Sequence, residues 1–288
     1  MRVHPPREFG NLVARAALDP ARATRYSSSV PFVDVRGVRT RYRESGAERE
    51  GTPLVLVHGA GGSSVTWLGA LRNLGRTRRC LAPDLPGHGQ SDLPPGGTSA
   101  VTIEAYRDFV GAFCDALGVR RAVLVGHSMG GAIIQEAALL WPDRVAGLVL
   151  IGTAARLAVS PAVFDAIDNH FAQFPEMLAM TGFSPSMPRE QALRLARAGL
   201  QAPQAVVRAD FEACNRWDAR ERIAAIRAPT LVMIGEDDLL APAKYGRFMA
   251  DRIPNARTVA FPQTGHMVHL ERHTDLVASL ADAPVVSW

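Results

Sequence analysis

The chain has 288 residues and a mass of 31.0 kDa, and 47% of its residues are hydrophobic, 21% charged and 7% aromatic. This composition excludes a mostly disordered chain, and the length suffices for one large core with a small accessory domain. No apolar run approaches the roughly 18 residues of a membrane-spanning helix, and the first residues lack the apolar stretch of a signal peptide. We therefore expect a cytoplasmic protein without a membrane partner.

The positive charge of the chain lies at its N-terminal end. The net charge is +4, and residues 1–49 hold ten arginines against five acidic residues, whereas the remainder is nearly balanced. No nucleic-acid-binding module accompanies this charge, so we expect no nucleic-acid partner. The three cysteines lack the spacing of metal ligands, which predicts free buried thiols and no metal site: Cys80, Cys114 and Cys214.

Residues 1–30 form an arginine-rich extension that carries no candidate catalytic group. Apolar residues at helical spacing within residues 9–18 are compatible with a short helix against the main domain or a second subunit. A plain surface extension is the simpler interpretation. We expect a monomer or a homodimer, and we expect residues 1–28 to be dispensable for catalysis.

From residue 31 onward the pattern is one of alternating strands and helices. Residues 32–42 alternate apolar and polar side chains around Gly37, which predicts an antiparallel hairpin. Four short apolar runs are typical of strands buried on both faces of a parallel sheet: residues 54–57, 122–125, 148–151 and 231–234. Helix-like segments lie between them, for example at residues 103–117 and 131–141. The predicted class is an α/β sheet with helices on both faces and an active site at the carboxyl ends of the strands.

Residues 154–222 interrupt this alternation and predict a helical insertion. They contain five of the eleven phenylalanines and three of the eight methionines, and their eight arginines are balanced by eight acidic residues. One helix should begin at Ser160-Pro161, and a second should follow Pro188. The first carries an apolar stripe of Phe164, Ile167, Phe171 and Phe174. We expect this stripe to pack on the main domain, with some side chains lining a pocket. The candidates for substrate binding are Gly61, Phe164, Phe171, Met177 and Trp217.

The strongest signal is the pentapeptide GHSMG at residues 126–130, placed between an apolar strand and a helix. A G-x-S-x-G turn in that position projects the hydroxyl of Ser128 out of the sheet, and the flanking glycines relieve crowding. The N-terminus of the following helix favours a developing negative charge. Ser128 is therefore the candidate nucleophile.

A serine nucleophile needs a base, and the base needs an acid that orients it. In this topology the acid and then the base follow the serine along the chain. Three acidic residues, Glu236, Asp237 and Asp238, follow one predicted strand, and His266 follows the next, at residues 258–261. His266 is the candidate base. The other histidines near these motifs are expected to be spacers, surface or packing residues: His127, His269 and His273.

The negative oxygen that forms during acyl transfer needs two backbone N–H donors. One is expected from Met129, which follows the nucleophile. The other is expected from the glycine-rich residues 58–62, because glycine lets the backbone approach a carbonyl oxygen closely. Within that segment Ala60 is the first choice and Gly61 the alternative.

The same glycines almost match a dinucleotide-binding fingerprint. Gly59, Gly61 and Ser64 follow the pattern G-x-G-x-x-G except at the last position, and Asp84 lies where a ribose-binding acid would stand. A hairpin precedes the strand, however, and this interpretation leaves Ser128 without a role. We therefore expect no cofactor.

Five segments resemble, in their order along the chain, the motifs of the α/β-hydrolase superfamily: residues 58–62 (HGAGG), 83–91 (PDLPGHGQS), 126–130 (GHSMG), 235–238 (GEDD), and 265–266 with Glu271. The resemblance implies a mostly parallel eight-stranded sheet flanked by helices, with a helical cap inserted after the sixth strand. It divides the chain into a core of residues 31–153 and 223–288 and a cap of residues 154–222. It also implies that Asp238, three residues after Gly235, orients His266.

A serine nucleophile in this superfamily implies hydrolysis of an ester, lactone or thioester through an acyl-enzyme. The phenylalanine- and methionine-rich, charge-balanced insertion predicts a neutral, mostly apolar substrate of small to medium size. Three alternatives stay open. One is a carbon–carbon bond hydrolase, although residues 60–64 lack the proline usual in the oxyanion loop of that branch. The others are a perhydrolase and a small-molecule receptor with a silent triad.

Overall fold

The computed structural model describes residues 31–282, and a single sheet of eight strands forms its centre. The strands are β1 (Phe32–Val35), β2 (Val38–Ser45), β3 (Leu54–Val57), β4 (Cys80–Pro83), β5 (Ala122–His127), β6 (Val145–Ile151), β7 (Thr230–Gly235) and β8 (Ala256–Phe261). Their order is β1-β2-β4-β3-β5-β6-β7-β8; β2 pairs antiparallel with β1 and β4, and all other neighbouring strands are parallel. The predicted mostly parallel, eight-stranded α/β sheet is confirmed.

Within residues 31–282 the α-helices are α1 (Leu68–Leu74), α2 (Ile103–Ala116), α3 (Met129–Leu140), α4 (Pro161–Asn169), α5 (Phe174–Thr181), α6 (Arg189–Gly199), α7 (Gln204–Arg216), α8 (Ala243–Arg252), α9 (Val268–Glu271) and α10 (His273–Asp282). The predicted helices at residues 103–117 and 131–141 correspond to α2 and α3. The central strands begin or end up to three residues beyond the apolar runs that predicted them. Strand β4, which the sequence did not locate, is fully buried between β2 and β3.

Two apolar cores lie on opposite faces of the sheet because successive strand residues point in opposite directions. In β3, Val55 and Val57 belong to the core that includes side chains of α2, α3 and α8. Leu54 and Leu56 belong to the other core, together with side chains of α1 and α10. Helices therefore cover both faces of the central strands, which explains why these strands are apolar at every position.

Helices α4 to α7, which we call the cap helices, are inserted between β6 and β7. The stripe predicted as one helix is divided, because α4 ends at Asn169 and Pro175 occupies the first turn of α5. The insertion is closed near its base by an antiparallel bridge between Arg156 and Asp218. The bridge lies two residues inside the predicted cap boundary at 154 and four residues inside the one at 222.

The predictions for the N-terminal extension concern residues 1–30, which lie outside the described residues. Within residues 31–282 the three cysteines are free and buried. No helix in that range has the length and apolar character needed to cross a membrane.

Helix α3 packs so closely on β3 that one of its glycines cannot carry a side chain. A Cβ atom added to Gly130 would lie 2.2 Å from the carbonyl oxygen of Val57 and 2.7 Å from that of His58. Both atoms are backbone, so the helix would have to move away from the sheet.

We predict that Gly130→Ala lowers the free energy of unfolding by about 3 kcal/mol or more, or prevents folding. The matched control is Gly199→Ala at the end of α6, where the nearest atom to an added Cβ is Thr66 Cγ2 at 3.8 Å. The control should stay within about 1 kcal/mol of wild type. Urea unfolding measures both, and equal stability of the two variants would contradict the packing argument.

Candidate active site

Ser128 lies on a sharp turn between the end of β5 and the start of α3. Its backbone angles are φ 51° and ψ −117°, outside the regions that non-glycine residues ordinarily adopt. Such a conformation costs about 1–3 kcal/mol and persists only when its surroundings fix it. The Ser128 N–H donates to Ile151 O at 3.0 Å, and Thr153 Oγ1 donates to Ser128 O at 2.8 Å. These bonds hold the turn with the serine side chain on a large cavity.

His266 and Asp238 form a buried hydrogen-bonded pair at the ends of β8 and β7. The Nδ1–H of His266 donates to Asp238 Oδ2 at 2.9 Å. The second oxygen, Oδ1, accepts from the N–H groups of Leu240 and Ala241 at 2.8 and 2.7 Å. Burial raises the pKa of Asp238, but the His266 charge and these hydrogen bonds outweigh burial and lower the net value. The carboxylate therefore stays ionised and directs the free Nε2 of His266 away from itself.

The other two acidic residues after β7 have different partners. Asp237 accepts a hydrogen bond from Ser184 Oγ at 2.6 Å. Glu236 pairs with Arg247 on α8. Of the three acidic residues, the structure thus brings only Asp238 to His266.

Glu271 holds the backbone just before the histidine. Its Oε1 accepts from the N–H of Gly265 at 2.9 Å, and its Oε2 accepts from the N–H of Ser184 at 3.0 Å. Glu271 therefore joins the loop of His266 to the segment that follows α5.

The glycine-rich loop after β3 lies against the serine turn. A Cβ added to Gly59 would lie 3.2 Å from Ser128 Cβ, which shows how closely the two backbones approach. Ala60 lines the cavity, and among residues 31–282 its N–H has no hydrogen-bond acceptor. The N–H of Gly61 donates to Asp210 Oδ2 at 2.9 Å instead. Met129 is the first residue of α3, so its N–H has no partner within the helix.

The two available N–H groups, from Ala60 and Met129, therefore lie beside the nucleophile, as an oxyanion site requires. The alternative donor, Gly61, is already used. Asp84, the acid of the dinucleotide pattern, is buried and accepts from the N–H groups of Ser64 and Gln90 at 2.7 and 3.2 Å. Within residues 31–282 no cluster of three His, Cys, Asp or Glu side chains could hold a metal ion.

The cavity above Ser128 has a volume of about 570 Å³. Its floor includes Ser128 and His266, and its walls come from the loop after β6, the cap helices and the region after β7. The larger apolar side chains of the lining are Leu157, Val159, Val163, Phe174, Leu178, Phe211, Leu239, Leu240, Tyr245, Phe248 and Met267. Arg156 and Arg220 are the only Lys, Arg, Asp or Glu residues among the lining residues described.

The residues predicted to bind substrate do not line this cavity. Gly61 faces the cap, since its added Cβ would lie 2.9 Å from Leu200 Cδ1. The remaining four serve other contacts: Phe171 and Met177 pack within the cap, Phe164 lies under the guanidinium of Arg208, and Trp217 Nε1 donates to Glu136. Phe174, one position of the predicted stripe, does reach the cavity, and a search for apolar residues after the acid loop would have found Tyr245 and Phe248.

Two buried histidines, His127 and His269, pack next to His266. The ring of His127 lies between His266 and His269, at centroid distances of 4.7 and 4.2 Å. Its Nε2–H donates to the carbonyl oxygen of His266 at 3.2 Å. His269 also packs on Trp67 and is buried, so of the two roles expected for it, surface or packing, it has the second.

Comparison with known proteins gives the family. Residues 52–273 match the family model described as alpha/beta hydrolase fold. The chain is 30% identical over 278 residues to a 2-hydroxymuconate semialdehyde hydrolase of Pseudomonas sp. (strain CF600), covering 87% of this chain and 94% of that protein.

Two solved structures are also similar. An N-acyl homoserine lactone degrading enzyme is 29% identical with a TM-score of 0.78, covering 88% of this chain and 100% of that chain. The enol-lactonase from Burkholderia xenovorans LB400 is 27% identical with a TM-score of 0.80, covering 90% and 100%. The chain therefore belongs to the α/β-hydrolase family, and it is a hydrolase of that fold.

The buried histidines should make the free energy of unfolding depend on pH. Burial is the main cause that lowers the pKa of His58 to about 4, that of His269 to about 3, and that of His127 well below its usual value. In the unfolded chain each of these groups has a pKa of about 6.5. Below that pH the unfolded chain binds more protons than the folded one, so acid favours unfolding.

We predict that the free energy of unfolding falls by about 1 kcal/mol per histidine per pH unit between about pH 6.5 and 4. Urea unfolding at several pH values measures this slope. His269→Phe should make it shallower, because the ring keeps its packing on Trp67 and His127 and neither nitrogen of His269 has a hydrogen-bond partner among the described residues. An unchanged slope in that variant would contradict the assignment of His269 as a neutral buried group.

Proposed function

We propose that the protein is a serine hydrolase that cleaves the ester-type bond of a small to medium, mostly apolar molecule through an acyl-enzyme. The observation that carries this proposal is the joint position of Ser128 and the His266–Asp238 pair on the floor of one large, mostly apolar cavity. The strained turn at Ser128 supports it, because strain of this kind persists at functional sites.

In the first half of the proposed reaction, His266 Nε2 takes the proton of Ser128 as its oxygen attacks the substrate carbonyl. The N–H groups of Ala60 and Met129 stabilise the negative oxygen of the tetrahedral intermediate. Asp238 holds the imidazole in the tautomer whose Nε2 accepts the proton, and it stabilises the imidazolium that results. His266 then protonates the leaving alcohol, and the acyl group stays on Ser128.

In the second half, His266 removes a proton from water, which attacks the acyl-enzyme. The same two N–H groups stabilise the second negative oxygen, and His266 returns its proton to Ser128 as the acid leaves. Esters, lactones and thioesters all fit this sequence. The similarity to two lactone-acting enzymes places lactones among the substrates to be tested first.

A second candidate function is carbon–carbon bond hydrolysis. The similarity to 2-hydroxymuconate semialdehyde hydrolase favours it. The mostly apolar cavity and the absence of proline from residues 60–64 favour the ester-type reaction. A perhydrolase or a receptor of the same fold would share the site, so turnover of defined substrates must separate these possibilities.

The decisive experiment compares wild type with Ser128→Ala on p-nitrophenyl esters of increasing chain length, a lactone panel and a dienoate ring-cleavage product. We predict ester or lactone turnover by wild type and a loss of at least about 10³-fold in kcat for the variant, because nucleophile and base act as a unit. Binding without turnover would favour a receptor, and turnover of the dienoate alone would favour carbon–carbon cleavage. Wild-type kcat in the variant would refute the mechanism.

The acid of the pair can be tested against its neighbour in sequence. Asp238→Asn should lower kcat by about 10³-fold or more, because an amide can donate to Nδ1 and so stabilises the wrong tautomer of His266. Asp237→Asn should lower kcat by less than about tenfold, because its partner is Ser184 Oγ. Both variants carry the same chemical change one position apart. The opposite ranking would show that the acid is misassigned.

Arg156 and Arg220 give the cavity a positive end. Asp218 pairs with Arg220 Nη2 at 2.6 Å and lies 4.0 Å from Arg156 Nε, so Arg156 is the less closely paired of the two charges. We predict that an ester with a terminal carboxylate has a KM about 2- to 5-fold lower than its neutral analogue of equal length. The preference should shrink at high salt and disappear in Arg156→Gln/Arg220→Gln. An unchanged preference for the carboxylate ester in that double variant would show that the two arginines do not cause it.

A further inference from the structure

A buried carboxylate of the cap, Asp210 on α7, is not part of the cavity lining and has no role in the reaction steps above. Its side chain is fully buried. It receives three hydrogen bonds from three separate elements: the N–H of Gly61 at 2.9 Å, Nε2–H of His88 at 2.8 Å, and the hydroxyl of Tyr106 at 2.7 Å. A carboxylate so far from water is stable only with partners of this kind.

The partner that balances its charge is His88. Both ring nitrogens of His88 face acceptors, Asp210 Oδ2 and the carbonyl oxygen of Pro86 at 3.1 Å, so both are donors and the ring is an imidazolium. Burial lowers the pKa of His88, but the charge of Asp210 and the hydrogen bond to it raise the net value above the usual one. The ring of His58 lies 4.8 Å from that of His88 between centroids, tilted by 54°, and it is neutral, since its Nε2 accepts from the N–H of Leu85.

The hydrogen bond from Gly61 joins Asp210 to the loop that carries a proposed oxyanion donor. Gly61 is bound to the cap through both of its backbone groups, because its N–H donates to Asp210 and its carbonyl accepts from the N–H of Gln201 at 2.8 Å. On the other side of Ala60, the carbonyl oxygen of Gly59 accepts from the N–H of Gly62 at 3.1 Å. The peptides around Ala60 are thereby fixed, and the direction of its N–H is fixed with them.

We propose that Asp210 is a positioning residue that holds the Ala60 N–H in line with the oxyanion of the reaction, and this inference rests on the proposed hydrolase function. The contact makes the cap part of the catalytic apparatus as well as a wall of the cavity. The hydrogen bond to an oxyanion is worth most when its donor is already oriented, so loss of Asp210 acts on the transition state more than on substrate binding.

The experiment compares Asp210→Ala, Asp210→Asn and Tyr106→Phe with wild type. Asp210→Ala removes the acceptor of the Gly61 N–H. In Asp210→Asn the amide oxygen can still accept that N–H, while the amide nitrogen faces the Tyr106 oxygen. Tyr106→Phe removes a hydrogen bond from the same carboxylate and leaves its bond to Gly61 in place. We measure kcat and KM on a p-nitrophenyl ester, inhibition by a trifluoromethyl ketone that forms a tetrahedral oxyanion on serine, and thermal stability.

The expected result is a fall in kcat of about 10- to 100-fold for Asp210→Ala, with KM changed less than about threefold and a matching rise in the inhibition constant of the ketone. Asp210→Asn should restore kcat to within about fivefold of wild type, and Tyr106→Phe should lose stability with kcat lowered less than about threefold. If Asp210→Ala does not fold, Asp210→Ser replaces it. The serine side chain is polar but too short to accept the hydrogen bond from the Gly61 N–H.

Equal kcat for wild type and the alanine or serine variant would overturn the inference, as would equal losses of kcat in that variant and Tyr106→Phe. These outcomes differ from a failure of the proposed function. In that case the wild-type protein itself would hydrolyse no ester or lactone, and the ketone would not bind to Ser128.

Discussion

The site depends on one backbone constraint, the positive φ of Ser128 between β5 and α3. A serine keeps that conformation only because the neighbouring backbone prevents it from adopting another. Gly126 and Gly130 allow this, since a Cβ added to either would lie within 2.4 Å of a backbone oxygen. The position of the proposed nucleophile is therefore a property of the packing between the sheet and α3. The strained turn lowers the free energy of unfolding, and it keeps the serine hydroxyl exposed on the cavity.

The cap helices and the segment between α6 and α7 also hold the loop beside Ser128. Asp210 and Gln201 bind the two backbone groups of Gly61, so the loop beside Ser128 takes its shape partly from a segment inserted late in the chain. The cost of burying the carboxylate is offset by the imidazolium of His88 and by two further donors. This arrangement explains why a charged pair is retained where apolar packing would be simpler. In the proposed reaction it couples the cap to the position of the Ala60 N–H.

The sequence predicted the fold and the residues of the motifs because their signals are local. Buried strands, the GHSMG turn and the acid and histidine after β7 and β8 each occupy a few consecutive positions. The pocket could not be predicted in the same way. Pro175 divides the phenylalanine stripe, so Phe174 reaches the cavity while Phe164 does not. The hydrogen bond between Gly61 and Asp210 joins residues 149 positions apart, and no local pattern indicates it.

The distribution of charge among the histidines follows from the reaction proposed for His266. That reaction generates an imidazolium, which a second cation nearby would oppose. The ring centroid of His127 lies 4.7 Å from that of His266, and His269 packs against His127. Burial keeps both His127 and His269 neutral. Among residues 31–282, the one buried histidine with a raised pKa is His88, and the carboxylate of Asp210 beside it balances its charge. Asp238 is then the nearest full charge opposed to the imidazolium. Burial thus keeps His127 and His269 uncharged beside the proposed base, and the charge of the buried His88 is balanced by Asp210.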